Sequence, residues 1–186
     1  MDKARIAQDF YNDTYFSDQN ACTAPRIIFW TGVDKSRARD IFWSSIRSLA
    51  KEKYELKPIQ SVGKLTAFYK AAACIPVSLV DSENSCYVTR ISVSCADDGL
   101  MRYKYNSGFF FECDISSLKD ILPICGERLQ TLTYYGLSRE ELASFISEYR
   151  PKGIDRAVPM GKSMDFSLIW DGFDLIRQLT RKVVVI

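Results

Sequence analysis

The chain has 186 residues, 47% of them hydrophobic, with 25 basic and 23 acidic side chains and a net charge of +2. That length suits one domain with a sizeable core, and the balanced charge gives no reason to invoke nucleic acid or an anionic membrane. No apolar run approaches the roughly 20 residues of a membrane span, and the absence of histidine removes Ser-His-Asp and Cys-His catalysis and most zinc sites.

In chain order, Lys3 to Tyr15 reads as a helix with Ile6, Phe10 and Tyr11 at helical spacing, and Met1 to Arg5, leading into a mixed polar helix, does not read as a signal peptide. A polar run then leads to Cys22, which sits among the small residues Ala21, Thr23 and Ala24. Arg26 to Thr31 reads as a strand, and Gly32-Val33-Asp34 turns the chain, with Asp34 as N-cap of the next helix. That helix, Arg37 to Tyr54, carries the apolar stripe Ala38, Ile41, Phe42, Ile46 and Leu49. Pro58 marks a break, and Ser61 to Ala73 forms a second helix.

The middle of the chain is β-like. Tyr87 to Val93 alternates with period two, and Met101–Tyr105 and Phe109–Cys113 flank Asn106-Ser107-Gly108 as a hairpin. Ile115 to Ile124 is a helix or turn, and Gln130 to Tyr134 a strand. Ser138 and Glu141 form a capping box for a helix that ends near Pro151. A strand at Arg156 to Val158, a helix from Asp171 to Leu179 and a last strand from Val183 to Ile186 complete the chain. Strands alternating with helices give an α/β layered fold with a largely parallel sheet and flanking helices, over one domain covering 1–186.

The six cysteines show no CxxC spacing, and the chain is too long to need disulfide staples. A reducing cytoplasm fits them better. Five of them, Cys74, Cys86, Cys95, Cys113 and Cys125, read as small core hydrophobes. Cys22 differs: small neighbours leave room for a carbonyl to approach, and a thiolate without imidazole help suits thioester exchange, whose leaving group departs readily. The alternative for Cys22 is a buried structural thiol.

Three segments carry a family resemblance. Asp18-Gln19-Asn20-Ala21-Cys22-Thr23-Ala24-Pro25, with the strand that follows into Phe29-Trp30, resembles the catalytic cysteine loop of the aldehyde dehydrogenase superfamily. The match is nearest to its acyl-CoA reductase branch, the LuxC family of fatty-acid reductases. Leu129 to Gly136 and Gly153 to Phe166, the latter running into Ile169 to Ile176, are similar to the same family and follow in the same order.

The resemblance implies the catalytic domain of an aldehyde dehydrogenase, with Cys22 as nucleophile and its backbone N–H as oxyanion donor. It implies an NADPH-dependent conversion of a long-chain acyl thioester to a fatty aldehyde through an acyl-cysteine. The donor would be an acyl-CoA or an acyl-enzyme. Partners would be the acyl-protein synthetase and acyl transferase of a fatty-acid reductase complex, within an oligomer or with a partner chain. Family members carry a nucleotide-binding half before the cysteine. Here only Met1 to Ser17 precede that motif, so the expectation is a catalytic half whose NADPH site lies largely elsewhere. Arg156, Gly161 and Lys162 are the candidates within the chain for touching cofactor or acyl substrate; the alternative for the two charges is a solvated surface loop, and for Asp171 an ordinary N-cap. Two other functions stay open: a non-redox thiol acyl carrier or acyltransferase, and a non-catalytic truncated assembly module.

Overall fold

A computed structural model describes residues 2–80 and 86–185. Helix α1 spans Lys3–Asp13, with the Asp2 side chain accepting from the Arg5 N–H at 3.2 Å as its N-cap. A 3-10 turn at Tyr15–Ser17 ends it, and strand β1 follows at Ile27–Trp30. Helices α2, Lys35–Lys53, and α3, Pro58–Ala72, precede strands β2, Val77–Leu79, and β3, Thr89–Val93. After β4, Phe109–Asp114, come β5, Thr131–Tyr134, α4, Arg139–Tyr149, and β6, Arg156–Pro159. A short arm closes the chain: β7, Ile169–Trp170, β8, Phe173–Asp174, and α5, Leu175–Leu179.

The main sheet runs β1-β4-β3-β2. β4 pairs parallel with both β1 and β3, and β2 adds an antiparallel edge, giving the layered, parallel-rich α/β sheet read from the sequence. Phe109 to Cys113 are all buried, as a central parallel strand covered on both faces requires. Phe109, Phe111 and Cys113 pack with Ala67 of α3, Ile121 and Phe145 of α4. Phe110 turns the other way, to Phe10 of α1 and Trp43 and Ile46 of α2. A second sheet holds β5 and β6 in parallel register.

A buried carboxylate ties the main sheet to α2. Glu112 accepts from Arg90 at 2.7 Å and from the indoles of Trp30 and Trp43 at 2.8 and 3.0 Å. That demand for a partner draws Trp43 inward, and the buried positions of α2 become Trp43, Ile46 and Ala50, while Ala38 of the sequence stripe stays exposed.

Several expectations change. No hairpin forms at Asn106–Gly108, because Asp98–Tyr103 winds into a 3-10 helix capped by Asp97, whose carboxylate accepts from Gly99 N–H at 2.8 Å. The positive φ of Ser107 and Gly108 instead steers the chain into β4. Pro58 opens α3 as its first residue, where the missing N–H is harmless. Asp34 stands at the start of α2 without a side-chain capping bond. Asp171 is not a cap: it turns β7 into β8 with φ 49°, and Asp174 caps α5 by accepting from Arg177 N–H. Val183 to Val185 pair with no strand among the described residues and stand in solvent with Leu179, while Ile186 lies outside those residues. Cys74, Cys86 and Cys95 are exposed rather than core, and all six thiols are free. No described helix is long and apolar enough to cross a membrane.

Candidate active site

The segment between α1 and β1 is held at its base and open at its tip. Asp18 and Gln19 both take a left-handed φ of 54°, a conformation that an Asp tolerates and a Gln adopts only when its surroundings enforce it. The enforcement comes from the Gln19 carboxamide, which is 0% exposed. Its oxygen accepts from the N–H groups of Gly108 and Phe109 at 2.7 and 3.0 Å, and its nitrogen donates to the carbonyls of Pro25 and Phe109 at 3.0 and 3.2 Å. Every polar capacity of that amide is used. Arg26 adds a second staple, donating to the Gln19 carbonyl at 2.5 Å and to Tyr105 O and Asn106 Oδ1 at 2.9 and 3.0 Å.

Above this base the chain makes a turn closed by the Ala24 N–H on the Ala21 carbonyl at 3.1 Å. Cys22 sits at the exposed corner of that turn, between half-buried Ala21 and buried Thr23 and Ala24. Its backbone N–H donates to no group among the described residues. The exposed thiol and the uncommitted N–H beside it are both open to a ligand.

Asp18 anchors a polar cluster below. Its carboxylate accepts from Ser107 Oγ at 2.8 Å, from Gln60 Nε2 at 3.3 Å and from the Tyr54 hydroxyl. Burial and the adjacent carboxylate push the Tyr54 phenol up to about 12. Lys64 is buried under the same cluster and donates to the Ser107 carbonyl at 2.8 Å and to the Cys86 carbonyl. Burial lowers its ammonium to about 8.

The two later motif segments converge on the same region. Asp13, fully buried at the end of α1, accepts from Gly161 N–H at 2.6 Å, from Ser163 N–H at 3.0 Å and from Ser163 Oγ at 2.8 Å. Burial raises its carboxyl above the ordinary aspartate range. The loop held in this way lays Met164 Sδ against Thr23 Oγ1 at 3.4 Å, one residue from Cys22. A cavity of about 870 Å³ opens between β1 and β5, with Cys22, Phe10, Phe42 and Met160 in its wall.

Arg156 opens β6, Gly161 and Lys162 lie in the loop after it, and their polar groups are engaged within that segment or by α1. Arg156 donates to the carbonyls of Lys162, Ser163 and Asp165 and lies over the Trp170 ring at 4.3 Å. Gly161 gives its N–H to Asp13, and Lys162 pairs with Asp165 at 2.9 Å. The Arg156 and Gly161 contacts hold the loop's shape, and the Lys162–Asp165 pair lies at the surface, where both side chains are 59% exposed. Sequence reasoning assigned no role to Gln19, Arg26, Asp13 or Lys64. Their partners lie up to 150 residues away, and only the Asp18-Gln19-Asn20 run, rich in residues that tolerate left-handed backbone, hints at a built turn.

No family model and no curated protein sequence matches this chain. Among solved structures, the chain is similar to methylmalonate-semialdehyde dehydrogenase (DddC) from Oceanimonas doudoroffii. The two share 11% identity at a TM-score of 0.55, over 89% of this chain and 38% of the dehydrogenase. The likeness establishes an aldehyde-dehydrogenase-type fold, and this chain spans about two fifths of that protein's length.

Proposed function

We propose that Cys22 is the acyl-accepting nucleophile of an acyl-CoA reductase acting on long-chain acyl thioesters. The observation that carries this reading is the exposed Cys22 thiol on a stapled loop at the wall of a large cavity, with its own N–H unspent. The thiolate attacks the thioester carbonyl carbon, forming a C–S bond, and the carbonyl oxygen takes up the charge against the Cys22 N–H. Collapse breaks the donor's C–S bond. The donor leaves as a thiolate that takes up the proton Cys22 lost, so a free thiol departs and an acyl-cysteine remains. No general base of high strength is required, because attacking and leaving groups are both thiols.

NADPH would supply hydride chemistry to such a site, and the part this chain's Cys22 plays is to hold the acyl group as a thioester. Arg156 and Gly161 spend their polar groups within the chain and Lys162 stays at the surface, so this reading expects most of that cofactor's site in a nucleotide-binding half of the kind family members carry. An acyl-protein synthetase and an acyl transferase are the partners this reading expects, within an oligomer or against a partner chain, in the cytoplasm. The engagement of those three residues favours a second reading for the isolated chain: a thiol acyl carrier or acyltransferase with no hydride step.

Incubation with radiolabelled tetradecanoyl-CoA tests both. Hydroxylamine-labile label on the protein, absent from Cys22→Ala, is the expected result; no label overturns both. Aldehyde formed on adding NADPH to the isolated chain would return the cofactor site to this polypeptide.

A further inference from the structure

The cavity beside Cys22 has an unusual wall. β1 pairs with β4 alone and β5 with β6 alone among the described residues, so each has one bare edge. Ile27 to Thr31 and Gln130 to Tyr135 both line the 870 Å³ cavity, so the bare edges bound the same space. A strand edge presents N–H and C=O groups at alternate residues. Closing such groups off from water without partners is unfavourable. A purely hydrocarbon guest would leave them unpaired, and a guest carrying amides in an extended chain would satisfy them. The side chains around the slot are apolar above and below, including Phe10, Phe42, Met101 and Leu118. Lys104 and Arg128 also line it, with Glu127 as the one acidic wall residue.

Resting on the acyl-transfer reading, we propose that the slot between β1 and β5 binds the extended diamide arm of a phosphopantetheine thioester as a substitute strand. The four residues of β1 offer about 13 Å of edge at roughly 3.3 Å per residue, a reach that accommodates both amides of the arm. The arm ends in the thioester sulfur, and Cys22 in the same wall receives the acyl group. Its phosphate finds counter-charge in Lys104 and Arg128. A peptide strand is the competing guest. It fits less well, because its side chains need pockets on both faces and it brings no thioester to Cys22; the volume is also that of a small-molecule site, about 300–1,000 Å³.

Hydrogen exchange on the Cys22→Ala protein tests this without any acyl transfer. The probes are S-methyl-coenzyme A, S-methyl-4′-phosphopantetheine and adenosine 3′,5′-bisphosphate. Both pantetheine probes should slow amide exchange in β1 and in β5 by on the order of fivefold, and the bisphosphate should slow neither. The Lys104→Ala, Arg128→Ala double variant should need about tenfold more of either probe for the same protection. Protection at lower concentration by the coenzyme A probe identifies a free coenzyme A thioester as donor, and equal protection identifies an arm carried on a protein. Protection of neither strand, of one strand only, or equally slow exchange without probe overturns the proposal, the last because it means that β1 and β5 already pair with each other. A protein that is acylated at Cys22 yet shows no protection loses this proposal and keeps the first.

Discussion

Gln19 reaches forward to Pro25, its amide nitrogen 3.0 Å from the proline carbonyl, so the loop that carries Cys22 is closed across its own base. The same side chain accepts from the first residues leading into β4, and the loop is thereby fixed to the central strand of the sheet. In Gln19→Glu a carboxylate oxygen faces the carbonyls of Pro25 and Phe109. Each orphaned acceptor costs about 1–3 kcal/mol, so the urea midpoint should fall clearly. Limited proteolysis should then cut first between residues 19 and 26.

Lys64 provides a pH signature. Its ammonium is lowered by burial to about 8 from an unfolded value of 10.5, so between those limits the unfolded chain binds more protons than the folded one. Stability contributed at this site therefore rises with pH from about 8 to 10.5 and is flat below. The neutral amine still has N–H groups for the carbonyls of Cys86 and Ser107. Relative to Lys64→Met, the wild type should gain on the order of 3 kcal/mol across that window, read from denaturant midpoints at each pH.

Two glycines separate backbone strain from crowding. Gly32 has φ 95° and open space around its missing Cβ, whereas at Gly108, φ 83°, a Cβ would stand 2.2 Å from the Tyr87 carbonyl and 2.6 Å from the Tyr15 hydroxyl. Gly32→Ala should cost about 1–2 kcal/mol, the penalty of left-handed backbone alone. Gly108→Ala should cost more than about 3 kcal/mol and lower the thermal midpoint accordingly.

The thiols should sort into two groups under iodoacetamide at neutral pH. Cys22, Cys74, Cys86 and Cys95 are exposed, and burial pushes the thiols of Cys113 and Cys125 up. Mass spectrometry of the native protein should show the exposed four modified first, with Cys113 and Cys125 modified only after denaturant is added.

The sheet layers were legible because hydrophobic period and turn chemistry are local. Phe109 to Cys113 reads as a strand, and Ser138 with Glu141 as a helix start, with the Glu141 N–H on Ser138 Oγ at 3.1 Å. The hairpin was misread because Asn106-Ser107-Gly108 has hairpin chemistry, while the segment before it follows a cap at Asp97. Around Cys22 the small neighbours were visible, but what holds them was not. Gln19 meets Phe109, and Asp13 meets Ser163, across separations that no local pattern encodes.

The arm beyond β6 has a practical consequence. Phe166, Leu168, Ile169, Phe173, Leu179 and Val183 to Val185 all face water, with Val185 at 93% exposure. With so much apolar surface in water, dilute solutions should stay clear where concentrated ones scatter light, and a trace of mild detergent should restore clarity without unfolding the sheet.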